Sequence, residues 1–153
     1  MCQGCPLSCI FVLDTFVDIV YIINMEYKHS KHHVYLVNYH LIWCPKRRRP
    51  VLVNKVKNRF IQIIKNKAEQ IKVDILAFEV MPDHVHIFVS AYPTVPVHKI
   101  VKEFKGISSN ILRKEFPHLL KIPSLWTHSY FASTAGNISN ETIKKYIEAQ
   151  SKK

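Results

Sequence analysis

Met81-Pro82-Asp83-His84-Val85-His86-Ile87-Phe88-Val89-Ser90 is the stretch on which the reading of this chain turns. Val85, Ile87 and Val89 alternate along it, so a strand here buries them on one face. His84 and His86 then share the opposite face, where two neighbouring imidazoles can hold one divalent cation. Two ligands are not a site, and a chain with nine histidines produces such pairs by chance. The decision rests on what the rest of the chain supplies. Pro82-Asp83 is a turn signal, and residues 73–80 before it read as the preceding strand of a hairpin.

Working outward, residues 54 to about 70 carry Val56, Phe60, Ile61, Ile64, Ala68 and then Ile71 at helical spacing, with Lys55, Lys57, Arg59 and Lys65 turned outward. Residues 34–43 read as a first strand, rich in Val, Leu, Tyr, Ile and Trp. It runs into Cys44-Pro45-Lys46-Arg47-Arg48-Arg49-Pro50, where four cations between prolines cannot continue a strand. Such a loop is either a solvated charge cluster or a set of phosphate contacts, and the charge of the whole chain favours phosphate. After the hairpin, Thr94 can cap a helix whose buried stripe is Ile100, Val101, Phe104, Ile107, Ile111 and Leu112, ending near Phe116. Residues 125–133 supply a fourth strand around Trp126, Tyr130 and Phe131, stopped at Gly136. Ser139 or Asn140 then caps a last helix over residues 141–150, with Glu141 in its first turn.

Strand, helix, strand, strand, helix, strand is the split βαβ order. The expected fold is α+β: a ferredoxin-like antiparallel sheet with helices on one face, followed by an extra C-terminal helix. The open face would carry the histidines. Topology alone assigns no function, because binding modules and enzymes share it.

With 153 residues and 48% apolar composition, the chain suits one domain with a real core. A formal charge of +11 exceeds what solubility requires and points to a polyanion. Its basic residues are spread along the chain and not gathered on one amphipathic helix, which favours nucleic acid over a membrane. Gly4, Gly106 and Gly136 are the only glycines, so no Gly-rich phosphate loop or dinucleotide fingerprint can be built. Residues 1–24 hold no Lys or Arg, so residues 25–153 carry all 22 basic side chains. The expectation is an atypical N-terminal extension over 1–24, with Met25 a candidate start, and a single domain over 25–153. Cys2, Cys5 and Cys9 lack a close fourth ligand, Cys44 being distant. The apolar run from Cys9 to Ile23 is broken by Asp14 and Asp18 and has no basic flank, so it reads as neither signal peptide nor spanning helix. A cytoplasmic location with reduced cysteines is expected.

Tyr146 and Gln150 lie four residues apart and share a helix face. A phenol can attack phosphorus and an amide oxygen can ligate a metal, but a packed Tyr and a solvated Gln would look the same. The pieces taken together resemble the single-tyrosine HUH transposases of small bacterial insertion sequences, the IS200-like family. The resemblance spans residues 25–150. It is carried by Tyr35-Leu36-Val37-Asn38-Tyr39-His40-Leu41, Met81-Pro82-Asp83-His84-Val85-His86, Lys105-Gly106 with Ser108-Ser109, Leu125-Trp126 through Ser129-Tyr130-Phe131, Thr134-Ala135-Gly136, and Glu141 through Gln150. Residues 1–24 have no counterpart in the family, and asparagine is the more usual neighbour where Ala149 stands.

The resemblance implies Tyr146 as nucleophile and His84, His86 and Gln150 as ligands of Mg2+ or Mn2+, although imidazoles alone would equally suit zinc. It implies nicking and rejoining of single-stranded DNA at insertion-sequence hairpin ends through a 5′-phosphotyrosine, with no ATP. It also implies a homodimer whose active sites are shared between chains. Lys46, Arg47, Arg48, Arg49 and Lys105 are the expected DNA contacts. Two alternatives remain beside it: a domesticated relative that cleaves repeated chromosomal hairpins, and a non-catalytic ferredoxin-like nucleic-acid-binding module. The second would need the third-strand glycine pattern of RNA-recognition modules, which residues 84–90 lack.

Overall fold

Residues 28–32 and 34–134 are described by a computed structural model. The N-terminal 24 residues with Cys2, Cys5 and Cys9, and the last helix with Tyr146 and Gln150, lie outside the described residues. The chain divides into two compact units at Leu36/Val37. The described part of the first is a small antiparallel hairpin, β1 (Lys28–His29) with β2 (Val34–Tyr35).

In the second unit, a four-stranded antiparallel sheet is built from β3 (Asn38–Trp43), β4 (Asp74–Val80), β5 (Val85–Ser90) and β6 (Phe131–Thr134), in the order β4-β5-β3-β6. Among the described residues two α-helices accompany it, α1 (Asn54–Gln70) and α2 (Val97–Glu115). β5 lies between β3 and β4, and β3 lies between β5 and β6, so both βαβ units are split. That is the ferredoxin-like arrangement.

The alternation expected in β5 organises the core. Val85, Ile87 and Val89 are fully buried and join Leu41 and Trp43 of β3 and Val80 of β4 in one cluster with both helices. α1 contributes Val56, Phe60, Ile63, Ile64 and Ala68, and α2 contributes Ile100, Val101, Phe104 and Leu112. Ile63, not Ile61, takes the deeper place on α1. Phe60 is central, its ring 5.9 Å from Phe78 and 5.3 Å from Trp126. Cys44 is buried against this core, and burial pushes its thiol up to about 11.

Three local expectations are corrected. Residues 34–43 form two strands, because Val34–Tyr35 pairs with β1 while Asn38–Trp43 pairs with β5 and β6. The cap of α2 is Pro96, not Thr94; Thr94 falls in a turn closed by the Val95 N–H donating to the Tyr92 carbonyl at 2.9 Å. The fourth strand begins at Phe131 and not at Leu125. Leu125 and Thr127 do pair with the end of β3, through Lys46 N–H to the Leu125 carbonyl (2.8 Å) and Thr127 N–H to the Cys44 carbonyl (3.1 Å). The chain then leaves the ladder at Thr127–Ser129, because those three carbonyls accept hydrogen bonds from Lys105.

Trp126 is anchored by α2: its Nε1–H donates to Ser108 Oγ at 3.1 Å, and that hydroxyl donates to the Phe104 carbonyl at 2.6 Å. Ser108→Ala strands the indole N–H in a dry core, which costs about 1–3 kcal/mol. Urea denaturation should show a lower midpoint at unchanged slope; an unchanged midpoint would remove Ser108 from the core's hydrogen bonding. At pH 8, iodoacetamide should leave Cys44 unmodified in the native protein and label it once the chain unfolds, as read by peptide mapping.

Candidate functional site

The burial demand on Val85, Ile87 and Val89 leaves His86 on the other face of β5, with His84 at the strand's entrance. Their ring centroids are 5.0 Å apart and their planes cross at 69°. His84 Nδ1 lies 2.7 Å from Asp83 Oδ1. The Asp83 carboxyl is held down at about 2, chiefly by that hydrogen bond and then by Arg48, against the opposing effect of burial. An ionised carboxylate only accepts, so the shared proton is on His84 Nδ1, and in the neutral form of the ring that tautomer leaves the lone pair on Nε2. His86 is driven down to about 3 by burial first, then by the positive charge His84 and His40 would carry. It is therefore neutral at physiological pH, the form in which imidazole ligates metal.

His40, on β3, brings its Nε2 to 3.3 Å from His86 Nδ1. Sequence reasoning gave it no role. A signal was present, since alternation along Tyr39-His40-Leu41-Ile42-Trp43 puts His40 on the histidine face. The register that aligns Ile42 with His86 and His40 with Phe88 is not written locally. His40 engages the ring of His86 and is not a third ligand. Among the described residues no group of three His, Cys, Asp or Glu side chains can hold a metal ion. The donor chemistry nevertheless fits a divalent cation, because two imidazoles stand together and one of them is oriented by a carboxylate.

The basic loop occupies a 3-10 turn, Lys46–Arg48. Arg47 and Arg49 are exposed and Lys46 is half-buried. Arg48 turns inward and donates from Nε to Asp83 Oδ2 at 2.8 Å. Lys105 is also committed within the protein: its Nζ donates to the carbonyls of Thr127 (2.7 Å), His128 (3.2 Å) and Ser129 (3.1 Å) and lies 5.9 Å from the Tyr130 ring centre. Burial draws its ammonium down to about 8, while the three carbonyls favour the charged form. Of the five expected DNA contacts, Lys46, Arg47 and Arg49 remain directed to the surface loop. No helix among the described residues is long and apolar enough to cross a membrane.

A split βαβ sheet with a His-x-His pair does not by itself assign a function, and comparison with known proteins identifies the family. The model of the IS200-like transposases matches residues 33–150. Over 132 residues the chain is 38% identical to the ISDra2 transposase TnpA of Deinococcus radiodurans, covering 84% of this chain and 94% of that protein. It is 28% identical over 115 residues to the transposase for insertion sequence element IS200 of Salmonella typhimurium, covering 73% and 75% respectively. A crystal structure of a provisionally assigned Deinococcus radiodurans transposase matches with a TM-score of 0.75 at 38% identity, over 80% of this chain and 97% of that one. The chain belongs to the IS200-like transposase family, a family of single-tyrosine transposases.

Lys105→Met removes the donor that holds residues 127–129 off the ladder. The expected result is faster amide hydrogen exchange through residues 127–130 and a stability loss of about 1–2 kcal/mol. Unchanged exchange there would mean that the three carbonyls need no cation.

Proposed function

We propose that the chain nicks and rejoins single-stranded DNA at insertion-sequence hairpin ends, using Tyr146 as the nucleophile. The observation that supports this reading best is the pair of adjacent imidazoles, His84 and His86, with ring centroids 5.0 Å apart and His84 Nδ1 held by Asp83. The names of the curated relatives, transposases of insertion sequences, support the choice of substrate.

Tyr146 Oη forms a bond to the scissile phosphorus as the bond from phosphorus to the 3′ oxygen breaks. The phenolic proton is lost and the departing oxygen gains one, leaving a 5′-phosphotyrosine and a free 3′-hydroxyl. The phosphodiester energy is retained, so attack by a 3′-hydroxyl on the adduct rejoins the strand without ATP. A phenol with a pKa of about 10 is a poor nucleophile at neutral pH, and the phosphodiester repels an anion. His84, His86 and Gln150 are the proposed ligands of Mg2+ or Mn2+, which when bound neutralises a non-bridging phosphate oxygen and stabilises charge in the transition state. His86 serves by staying unprotonated, and Asp83 by keeping the His84 proton on Nδ1. Lys46, Arg47 and Arg49 hold the backbone phosphates, so affinity should fall as salt rises. The working unit is a homodimer in which the tyrosine helix of one chain completes the histidine site of its partner.

Labelled single-stranded DNA carrying the element's ends tests the assignment. Wild type with Mg2+ should give a protein–DNA adduct that survives denaturing electrophoresis, and a chelator should abolish it. Tyr146→Phe should bind DNA and give no adduct. His84→Ala and His86→Ala should also bind and fail to cleave, while mixing Tyr146→Phe with His84→Ala under subunit exchange should restore partial cleavage. An adduct from pure Tyr146→Phe protein would falsify the nucleophile; lost binding in the histidine variants would mark those rings as structural.

A further inference from the structure

Arg48 belongs to the run Lys46-Arg47-Arg48-Arg49, whose composition describes a solvent-facing set of cations. Its conformation does not. Arg47 and Arg48 both take left-handed backbone angles, with φ of 58° and 50°, a region that L side chains enter only when the surroundings require it. A loop whose task was to display charge could do so from an extended backbone without that strain.

The surroundings that require it are on either side of the turn. Lys46 N–H donates to the Leu125 carbonyl at 2.8 Å, and Leu52 N–H donates to the Pro82 carbonyl at 3.0 Å. Between these ties, Arg48 N–H closes back on the Pro45 carbonyl at 2.9 Å. The loop is thus laid against the Pro82-Asp83 turn, and the Arg48 guanidinium meets a carboxylate 35 residues away. Both Nε (2.8 Å) and Nη2 (2.5 Å) donate to one oxygen, Asp83 Oδ2. The other oxygen, Oδ1, is the one at 2.7 Å from His84 Nδ1. Each carboxylate oxygen has its own partner, and the three side chains are largely sheltered, at 27%, 23% and 16% exposure for Arg48, Asp83 and His84.

We propose that Arg48 is a positioning residue for the histidine pair: it locks the Asp83 carboxylate so that Oδ1 holds the His84 Nδ1–H and Nε2 is presented to a divalent cation. The proposal rests on the reading of His84 as a ligand. Terminal rotation of an aspartate is otherwise broad, and a neutral imidazole left to itself divides between two tautomers, one of which has no lone pair on Nε2. Outer partners of this kind typically change metal affinity by about 10–100-fold. Loss of a phosphate contact has a different signature, weakening DNA binding and lowering its salt dependence by about one ion.

The test uses the full chain without DNA, titrated with Mn2+ and read as free Mn2+ by electron paramagnetic resonance. A second measurement follows the salt dependence of binding to a single-stranded oligonucleotide. Arg48→Gln should weaken Mn2+ binding about 10–100-fold and leave the DNA salt slope unchanged. Arg47→Gln should do the reverse. Arg48→Lys, which keeps charge without the fork, should fall between wild type and Arg48→Gln in Mn2+ affinity. Asp83→Asn should be at least as damaging as Arg48→Gln, because an amide N–H there would meet the unprotonated Nδ1 and move the ring proton to Nε2. If Arg48→Gln does not fold, Arg48→Lys and Asp83→Asn carry the test. Wild-type Mn2+ affinity in these variants, while His84→Ala loses it, overturns the proposal alone. Equal, weak binding by wild type and His84→Ala overturns the ligand reading and the proposal with it.

Discussion

The pairing of β5 with β3 is the constraint on which the rest of the molecule depends. Side chains on a strand alternate, so a slip of one residue would turn His86 towards the aliphatic core and Val85, Ile87 and Val89 away from it. Val85, Ile87 and Val89 must enter the core shared with α1 and α2, and that demand alone turns His86 to the opposite face. The same register aligns Ile42 with His86, which lets His40 approach it from the neighbouring strand. Core and candidate site are two faces of one ladder. The imidazoles are held by what the aliphatic residues behind them require.

Charge in this protein divides into two populations that composition cannot separate. Arg48 and Lys105 are partly sheltered and spend their donors on protein acceptors. Arg59 pairs with Glu115, and Lys67 with Glu103, across the two helices. These pairs are at the surface and contribute little stability each; they do determine which cations are engaged. Arg47 and Arg49, in and just after the 3-10 turn, stay exposed to solvent.

Much of the fold was legible because its long elements are strongly periodic. Residues 54–70 read as a helix and form one with the same ends, and the strands on either side of Pro82-Asp83 shift by a few residues at most. Apart from the cap of α2, which a local turn decides, the errors come from partnership with distant residues. The first strand divides because its halves pair with different strands, and the fourth starts late because Lys105 captures the backbone before it. In the site, the spacing of His84 and His86 was sufficient to find the pair. His40, Arg48 and Lys105 act over separations of 46, 35 and 22 residues, which no local pattern encodes. Tyr146 and Gln150 lie outside the described residues.

Among the described residues, the order β4-β5-β3-β6 also leaves a strand at each border of the sheet. Unpaired backbone groups on such a border are a template for adding a foreign strand, the first step towards aggregation. Both borders are poor templates: β6 is four residues long, and β4 breaks register between Ile75 and Ala77. A short strand offers few successive hydrogen bonds, and a bulge twists the edge away from a flat partner. The irregularity in β4 thus works against growth of the sheet at that border.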